Sequence, residues 1–177
     1  TPTWELPRDA LKEAFSDKPK LILLTSPHNP ASKVFSRDDL EFIASLVKQY
    51  DAYAVCDEVY EHLIFDDLPH IPLMTLEGMR ERCVRIGSAG KTFSMTGWKV
   101  GYITAPPNLL APITKAHQFM VFTTAPNLQK ATAVGLGKED AYFRSLAGEL
   151  QAKRDHLKQG LEAAGMAVMP VEGTYFM

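Results

Sequence analysis

Between residues 20 and 87, short apolar runs alternate with helix-forming segments, and this alternation narrows the fold more than any other feature. Lys20-Leu-Ile-Leu-Leu-Thr25 is a continuous apolar run bounded by turn residues, the pattern of a strand covered on both faces. It stops at Ser26-Pro27-His28-Asn29-Pro30. Ser36 followed by Asp39 resembles a capping box, after which Leu40, Ile43, Leu46, Val47 and Tyr50 keep helical spacing. Ala52-Tyr-Ala-Val-Cys56 reads as a second strand ending at Asp57, and a loop and a short helix around 72–80 lead to a third, Cys83-Val-Arg-Ile-Gly87. Strands and helices in this order form right-handed crossovers, and therefore a parallel sheet with helices flanking it.

The rhythm then changes. The stretch between the third strand and Val100-Gly-Tyr-Ile-Thr-Ala105 is short and carries Gly90 and Gly97, which leaves little room for a helical crossover. The fourth strand is expected to be antiparallel, so the fold class is α/β: a mostly parallel sheet with one antiparallel strand and flanking helices. A short helix over 7–16, with Leu6, Leu11, Ala14 and Phe15 as its apolar stripe, precedes the sheet. Helices over 106–122, interrupted at Pro112, and over 126–136 follow it. A long amphipathic helix over 138–164 carries Tyr142, Phe143, Leu146, Leu150, Leu157 and Leu161 and closes at Gly165 as its C′ residue. Residues 166–177 read as a strand that opens a new unit.

Composition excludes several functions. Asp plus Glu outnumber Lys plus Arg by 21 to 19, so no basic field attracts nucleic acid or an anionic membrane. No apolar run approaches the roughly 18 residues of a bilayer span, and Thr1-Pro2-Thr3-Trp4-Glu5 lacks the features of a signal peptide. A cytoplasmic location is expected. Cys56 and Cys83 are too few for a disulfide framework or a zinc site and read as buried apolar residues. The five histidines show no metal-ligand spacing, and the aromatic stretch from Phe119 to Phe122 reads as helix packing.

In an open parallel sheet, ligands bind outside the carboxyl ends of the strands. The first strand delivers Asn29 to that edge, the second Asp57 and Tyr60, and the third Ser88 and Lys91; an antiparallel fourth strand begins there and brings Lys99. These side chains suit an anionic aromatic cofactor bearing an aldehyde. A lysine amine condenses with the aldehyde, a carboxylate holds a ring nitrogen protonated, and a hydroxyl and an amide bond a phenolate oxygen. A serine and a second lysine hold a phosphate.

Ser88-Ala-Gly-Lys-Thr-Phe-Ser-Met-Thr-Gly-Trp-Lys-Val-Gly101 resembles the lysine signature of the pyridoxal-phosphate-dependent aminotransferases of class I/II, fold type I. Pro27-His-Asn-Pro-Ala-Ser-Lys33 resembles that family's Asn-Pro loop, Asp57-Glu-Val-Tyr60 its Asp-x-x-Tyr motif, and Gly173-Thr-Tyr-Phe176 the start of its small domain. The wording around the lysine is most similar to kynurenine, glutamine and methionine aminotransferases. The resemblance implies that Lys91 forms a Schiff base with pyridoxal 5'-phosphate and shuttles the substrate proton. It implies that Asp57 pairs with the pyridinium nitrogen, that Tyr60 and Asn29 bond the ring oxygen, and that Ser88 and Lys99 contact the phosphate. Ala31-Ser32 departs from the commoner Thr-Gly, and Gly97 and Gly101 are expected to permit tight turns near the phosphate.

The function so implied is amino-group transfer from an amino acid to a 2-oxo acid by a homodimer. Two alternatives share the signature: a carbon–sulfur β-lyase using the same cofactor, and the non-enzymatic aminotransferase-like domain of a transcription regulator. By the same resemblance, residues 1–137 belong to a large cofactor-binding domain, 138–165 to an interdomain helix and 166–177 to a small domain. The sequence is expected to be an internal piece of a longer chain, inactive alone, because the family's upstream phosphate-binding turn and downstream substrate-binding arginine are not in it.

Overall fold

The computed structural model describes residues 3–177; Thr1 and Pro2, which belong to the N-terminal stretch read above, lie outside the described residues. Four strands form one sheet in the order β1 (Leu21–Thr25), β2 (Tyr53–Asp57), β3 (Cys83–Ser88), β4 (Gly101–Thr104). The first three are parallel, with Thr25 beside Asp57 and Asp57 beside Ile86. Strand β4 runs antiparallel to β3 and sets Gly101 against Ser88, as the short connection requires.

Helix α1 (Arg8–Ser16) precedes the sheet, and α2 (Arg37–Gln49) supplies the β1–β2 crossover. Ser36 caps α2 by accepting a hydrogen bond from the Asp39 amide at 3.1 Å, while its hydroxyl donates to the Asp39 carboxylate at 2.9 Å. Leu40, Ile43, Ala44, Leu46 and Val47 of α2 bury against Leu24, Ala54, Cys56 and Cys83, which all lie on one face of the sheet. Both cysteines are free and buried, and Cys56 is pushed well above the ordinary thiol range by its hydrogen bond to Cys83 and by burial. Beyond β3 follow α3 (Ala89–Thr92), α4 (Pro107–Val121), α5 (Pro126–Leu136) and α6 (Asp140–Ala163). No helix among the described residues is long and apolar enough to cross a membrane.

Helix α6 ends in a Schellman motif. Gly165, at φ +81°, donates to the Glu162 carbonyl, and Met166 donates to the Leu161 carbonyl.

Several expectations need correction. Strand β1 is covered on one face only: Leu23 is 66% exposed, because its side chain points away from α2. The helix expected around 72–80 is replaced by two 3-10 turns, Leu73–Thr75 and Arg80–Arg82. Helix α4 runs on through Pro112, which forgoes one backbone bond without breaking the helix. Its Phe119, at 90% exposed, and the neighbouring Met120 and Phe122 are uncovered and not packed. Along α6, Tyr142, Phe143, Leu146, Leu150 and Leu161 are only partly buried and Leu157 is exposed, so its apolar face is not sealed into a core.

The last segment forms no strand. Residues 166–177 meet the rest of the chain through one antiparallel bridge, Ile64 to Gly173, through bonds to loops, and through bonds from Lys91 of α3 and Arg154 of α6. Those loops, rather than a sheet edge, satisfy its backbone: Glu172 N donates to Ser32 O at 3.0 Å and Thr174 N to Leu63 O at 2.7 Å.

A buried ion network ties β3 to the turn after β2. The Arg85 guanidinium bonds Glu58 at 2.6 Å and also pairs with Glu61. His70 meets the Glu58 carboxylate at 2.9 Å, and Tyr102 of β4 donates to Glu61 at 3.1 Å. Tyr102 reaches Glu61 across Gly87, where a Cβ would occupy the space of its ring.

Two stability outcomes follow from this architecture. Ile43→Ala empties a fully buried position and is expected to cost about 2–5 kcal/mol in denaturant unfolding. Arg85→Met takes the guanidinium from the buried Glu58 and the half-buried Glu61 and is expected to cost about 3–5 kcal/mol by the same measurement.

Candidate active site

The parallel strands bring separate loops to one edge. After β1 the chain turns through Ser26–Pro30, and the Ser26 amide donates to the Asp57 carbonyl at 3.1 Å, so this loop lies across the end of β2. His28 N donates to Lys33 O and Ser32 N to His28 O, both at 2.8 Å, which closes the loop around Asn29. Strand β2 ends in Asp57, whose carboxylate accepts from the Val59 amide at 3.3 Å. The turn bond from Glu61 N to Glu58 O then sets Tyr60, 2% exposed, in the floor of the site.

Lys91 is held by a tight hairpin. Strand β3 passes into α3, and the Gly90 carbonyl accepts both the Met95 amide at 3.0 Å and the Thr96 hydroxyl at 3.1 Å. Gly90 is required there, because a Cβ would stand 2.9 Å from the Thr96 backbone. Gly97 does not have the turn role expected of it: a Cβ would meet nothing within 4 Å, and the residues with positive φ here are Ser94 and Lys99.

The Lys91 ammonium lies 5.8 Å from the ring centres of both Tyr60 and Tyr175 and donates to Tyr175 Oη at 3.1 Å. The two tyrosine hydroxyls are 3.3 Å apart, and their rings meet edge to face at 5.3 Å. Burial pushes the Tyr60 phenol up, as do its bond to Tyr175 and the charges of Tyr175 and Asp57, against a smaller opposing bond from Asn29. Burial also raises Tyr175, but bonds from Tyr60 and Lys91, with the charge of Lys91, outweigh it and leave that phenol below its ordinary range.

The structure therefore brings Asn29, Asp57, Tyr60 and Lys91 together. Ser88 and Lys99 stand at the same sheet edge, where β3 ends and β4 begins. Lys99 is exposed and lines a groove with Trp98, Tyr102 and Ile103, whereas Lys91 lines a cavity of about 490 Å³ with Gly90, Thr96 and Tyr175. Sequence reasoning missed Tyr175 as a site residue. The one signal for it was the Gly173-Thr-Tyr-Phe176 wording, which is 82 residues away from Lys91 at its nearest end. It also missed the gathering of Glu58, Glu61 and His70, whose ligand-type atoms lie within 4.8 Å of one another. Both carboxylates there are already paired with the Arg85 guanidinium, so the cluster is an ion network rather than a metal centre.

With this geometry in hand, comparison with known proteins is informative. The sequence profile of the family "Aminotransferase class I and II" matches residues 1–177. The chain is 43% identical to a kynurenine–oxoglutarate transaminase of Dictyostelium discoideum, covering 98% of this chain and 41% of that protein. It is 39% identical to human kynurenine–oxoglutarate transaminase 3, covering 98% and 40% respectively. Among solved structures it superposes on N-succinyldiaminopimelate aminotransferase of Mycobacterium tuberculosis with a TM-score of 0.94 at 39% identity, covering 98% of this chain and 45% of that one. Escherichia coli YbdL, described as having a methionine aminotransferase function, gives a TM-score of 0.93 at 33% identity, covering 98% and 46%. The chain thus spans less than half the length of these relatives. Its fold, the order of its motifs and these likenesses agree: the chain belongs to the class I and II aminotransferase family.

Proposed function

We propose that the complete protein transfers an amino group between an amino acid and a 2-oxo acid, using pyridoxal 5'-phosphate. The observation that carries this reading is the meeting of Lys91, Asp57, Tyr60 and Asn29, from three separate loops, at the carboxyl edge of the sheet. The donor set fits the cofactor: an amine for its aldehyde, a carboxylate for its ring nitrogen, and a phenol with an amide for its ring oxygen. Bound there, the cofactor supplies a pyridinium ring that accepts the electron pair left when a substrate carbon loses its proton.

In this reading Lys91 would hold the cofactor by its aldehyde, and its Nζ would take the substrate α-proton and give it back. Asp57 accepts the ring N–H and keeps that nitrogen protonated; its own place is set by the Val59 amide and by the β2 register. Tyr60 donates to the ring oxygen, and its buried phenol stays protonated to do so. Asn29 donates beside it. Ser88 and Lys99 hold the phosphate from the β3–β4 edge, Lys99 as a point charge rather than a bidentate fork. Residues 1–137 serve as part of the large domain, α6 as the link and the final segment as the start of the small domain. The working unit is a homodimer in the cytoplasm.

In the loaded full-length protein, Lys91→Ala is expected to abolish the visible absorbance of attached cofactor and to lower transamination by about 10³-fold or more. Asp57→Asn, which keeps the shape and loses the charge, is expected to cost about 10- to 100-fold, the worth of a charge-assisted hydrogen bond. An amino-acid panel assayed with several oxo acids checks both. Release of ammonia and pyruvate without any oxo acid would move the reaction class to β-elimination.

A further inference from the structure

Tyr175 bonds Lys91 yet has no part in the proposed roles, and its placement is strongly built. On either side of it the chain is fixed to the Asn-Pro loop. The Ser32 hydroxyl donates to the Phe176 carbonyl at 2.6 Å and lies 2.9 Å from the Thr174 hydroxyl. Phe176 N donates back to Thr174 Oγ1 at 3.2 Å, and the Glu172 carboxylate accepts the Val34 amide at 2.7 Å. Thr174 and Ser32 are fully buried. Gly173 leaves no room for adjustment, since a Cβ there would stand 2.7 Å from the Leu63 carbonyl. Between these anchors the Tyr175 ring packs on Tyr60 and on Phe176, which is 4.8 Å away. Its hydroxyl is left where it touches both Lys91 Nζ and Tyr60 Oη, on a residue 50% exposed and so open to proton exchange with water.

We infer that Tyr175 is a catalytic residue of this site: its hydroxyl oxygen accepts the hydrogen bond of Lys91 and steadies the ammonium formed when that amine takes a proton. The inference rests on the reading of Lys91 as the reactive amine. The step balances simply. Nζ gains one proton from a carbon, the carbon keeps the electron pair, and the new N–H⁺ is held by Oη and by the two flanking rings. When Tyr175 is ionised, the ammonium hands the proton to Oη, which leaves a neutral amine beside a neutral phenol. The same proton returns by the reverse path.

The division between the two tyrosines supports this assignment. Tyr60 is buried and faces Asp57, which keeps its proton on; Tyr175 faces the cation and holds its proton less firmly. The other charged groups lining the cavity are Glu149 and Lys153 of α6, of opposite sign.

The test uses full-length protein in two states. Without cofactor, ultraviolet titration of tyrosinate is expected to show one tyrosine ionising below the others, lost in Tyr175→Phe and shifted upward in Lys91→Met. A low step that persists in Tyr175→Phe, or that ignores Lys91→Met, overturns the inference. With cofactor, Tyr175→Phe keeps the ring packing and is expected to retain the bound-cofactor absorbance while slowing exchange of the substrate α-proton with D₂O by about 10- to 100-fold. Unchanged exchange overturns the inference as well. Failure of the parent reading is separate: Lys91→Ala would then keep the attached-cofactor absorbance, while the tyrosinate titration would still report the Lys91–Tyr175 contact.

Discussion

The Arg85 guanidinium, gripped by the buried carboxylates of Glu58 and Glu61, is the contact on which the site's geometry depends. A buried ion pair is a poor source of net stability, because desolvation of the charges offsets their attraction. Its value here is positional. The turn after β2 alternates its side chains, with Asp57 and Tyr60 directed to the site and Glu58 and Glu61 directed behind it. A single cation on the neighbouring strand therefore fixes both site residues by fixing the residue that follows each of them. His70 and Tyr102 complete the network from two further segments, so the turn is held from β3, β4 and the loop after β2 at once.

A second clamp works from the opposite side. Ser32 adopts positive φ at the position where the commoner family wording has Gly, and its hydroxyl is committed to Thr174 and Phe176. The departure from Thr-Gly thus puts a polar side chain where it can bind the C-terminal segment, which in turn carries Tyr175 to Lys91. Asn29 lies in the same loop, so one closed backbone turn positions an amide on the site floor and anchors the segment above it.

Much of this was legible in residue order. The β–α alternation, the short β3–β4 connection, the Ser36 cap and the Gly165 terminus are local signals, and local physics produced the expected elements. The failures have a common cause, which is that local pattern does not say what covers a residue. Phe119 and Met120 carry the apolar character of packing residues yet are left largely exposed, and Leu23 alternates to an open face. Residues 166–177 have strand-like composition, but their hydrogen bonds go to Ser32 and Leu63 in loops. Gly97 looked like a turn glycine because glycines mark turns, whereas the crowded position is Gly90, where two backbones touch. Tyr175 was hidden for a related reason: its contact to Lys91 exists only after the C-terminal segment has crossed the sheet edge.

These two clamps make the segment from Asp57 to Tyr60 a wall between unlike environments. Behind it, carboxylates outnumber the single guanidinium, and His70 approaches Glu58 with Nε2, so that nitrogen carries the proton. In front, the only cation among the described residues in contact with the tyrosine pair is Lys91, and its hydrogen-bond partner is an oxygen that is neutral or negative, never positive. Asp57 and Lys91 thus set a carboxylate and an amine about the same pair of tyrosine rings. Their placement is set by backbone turns and ion pairs of the folded chain, so these groups are preorganised and do not need to rearrange as charge moves.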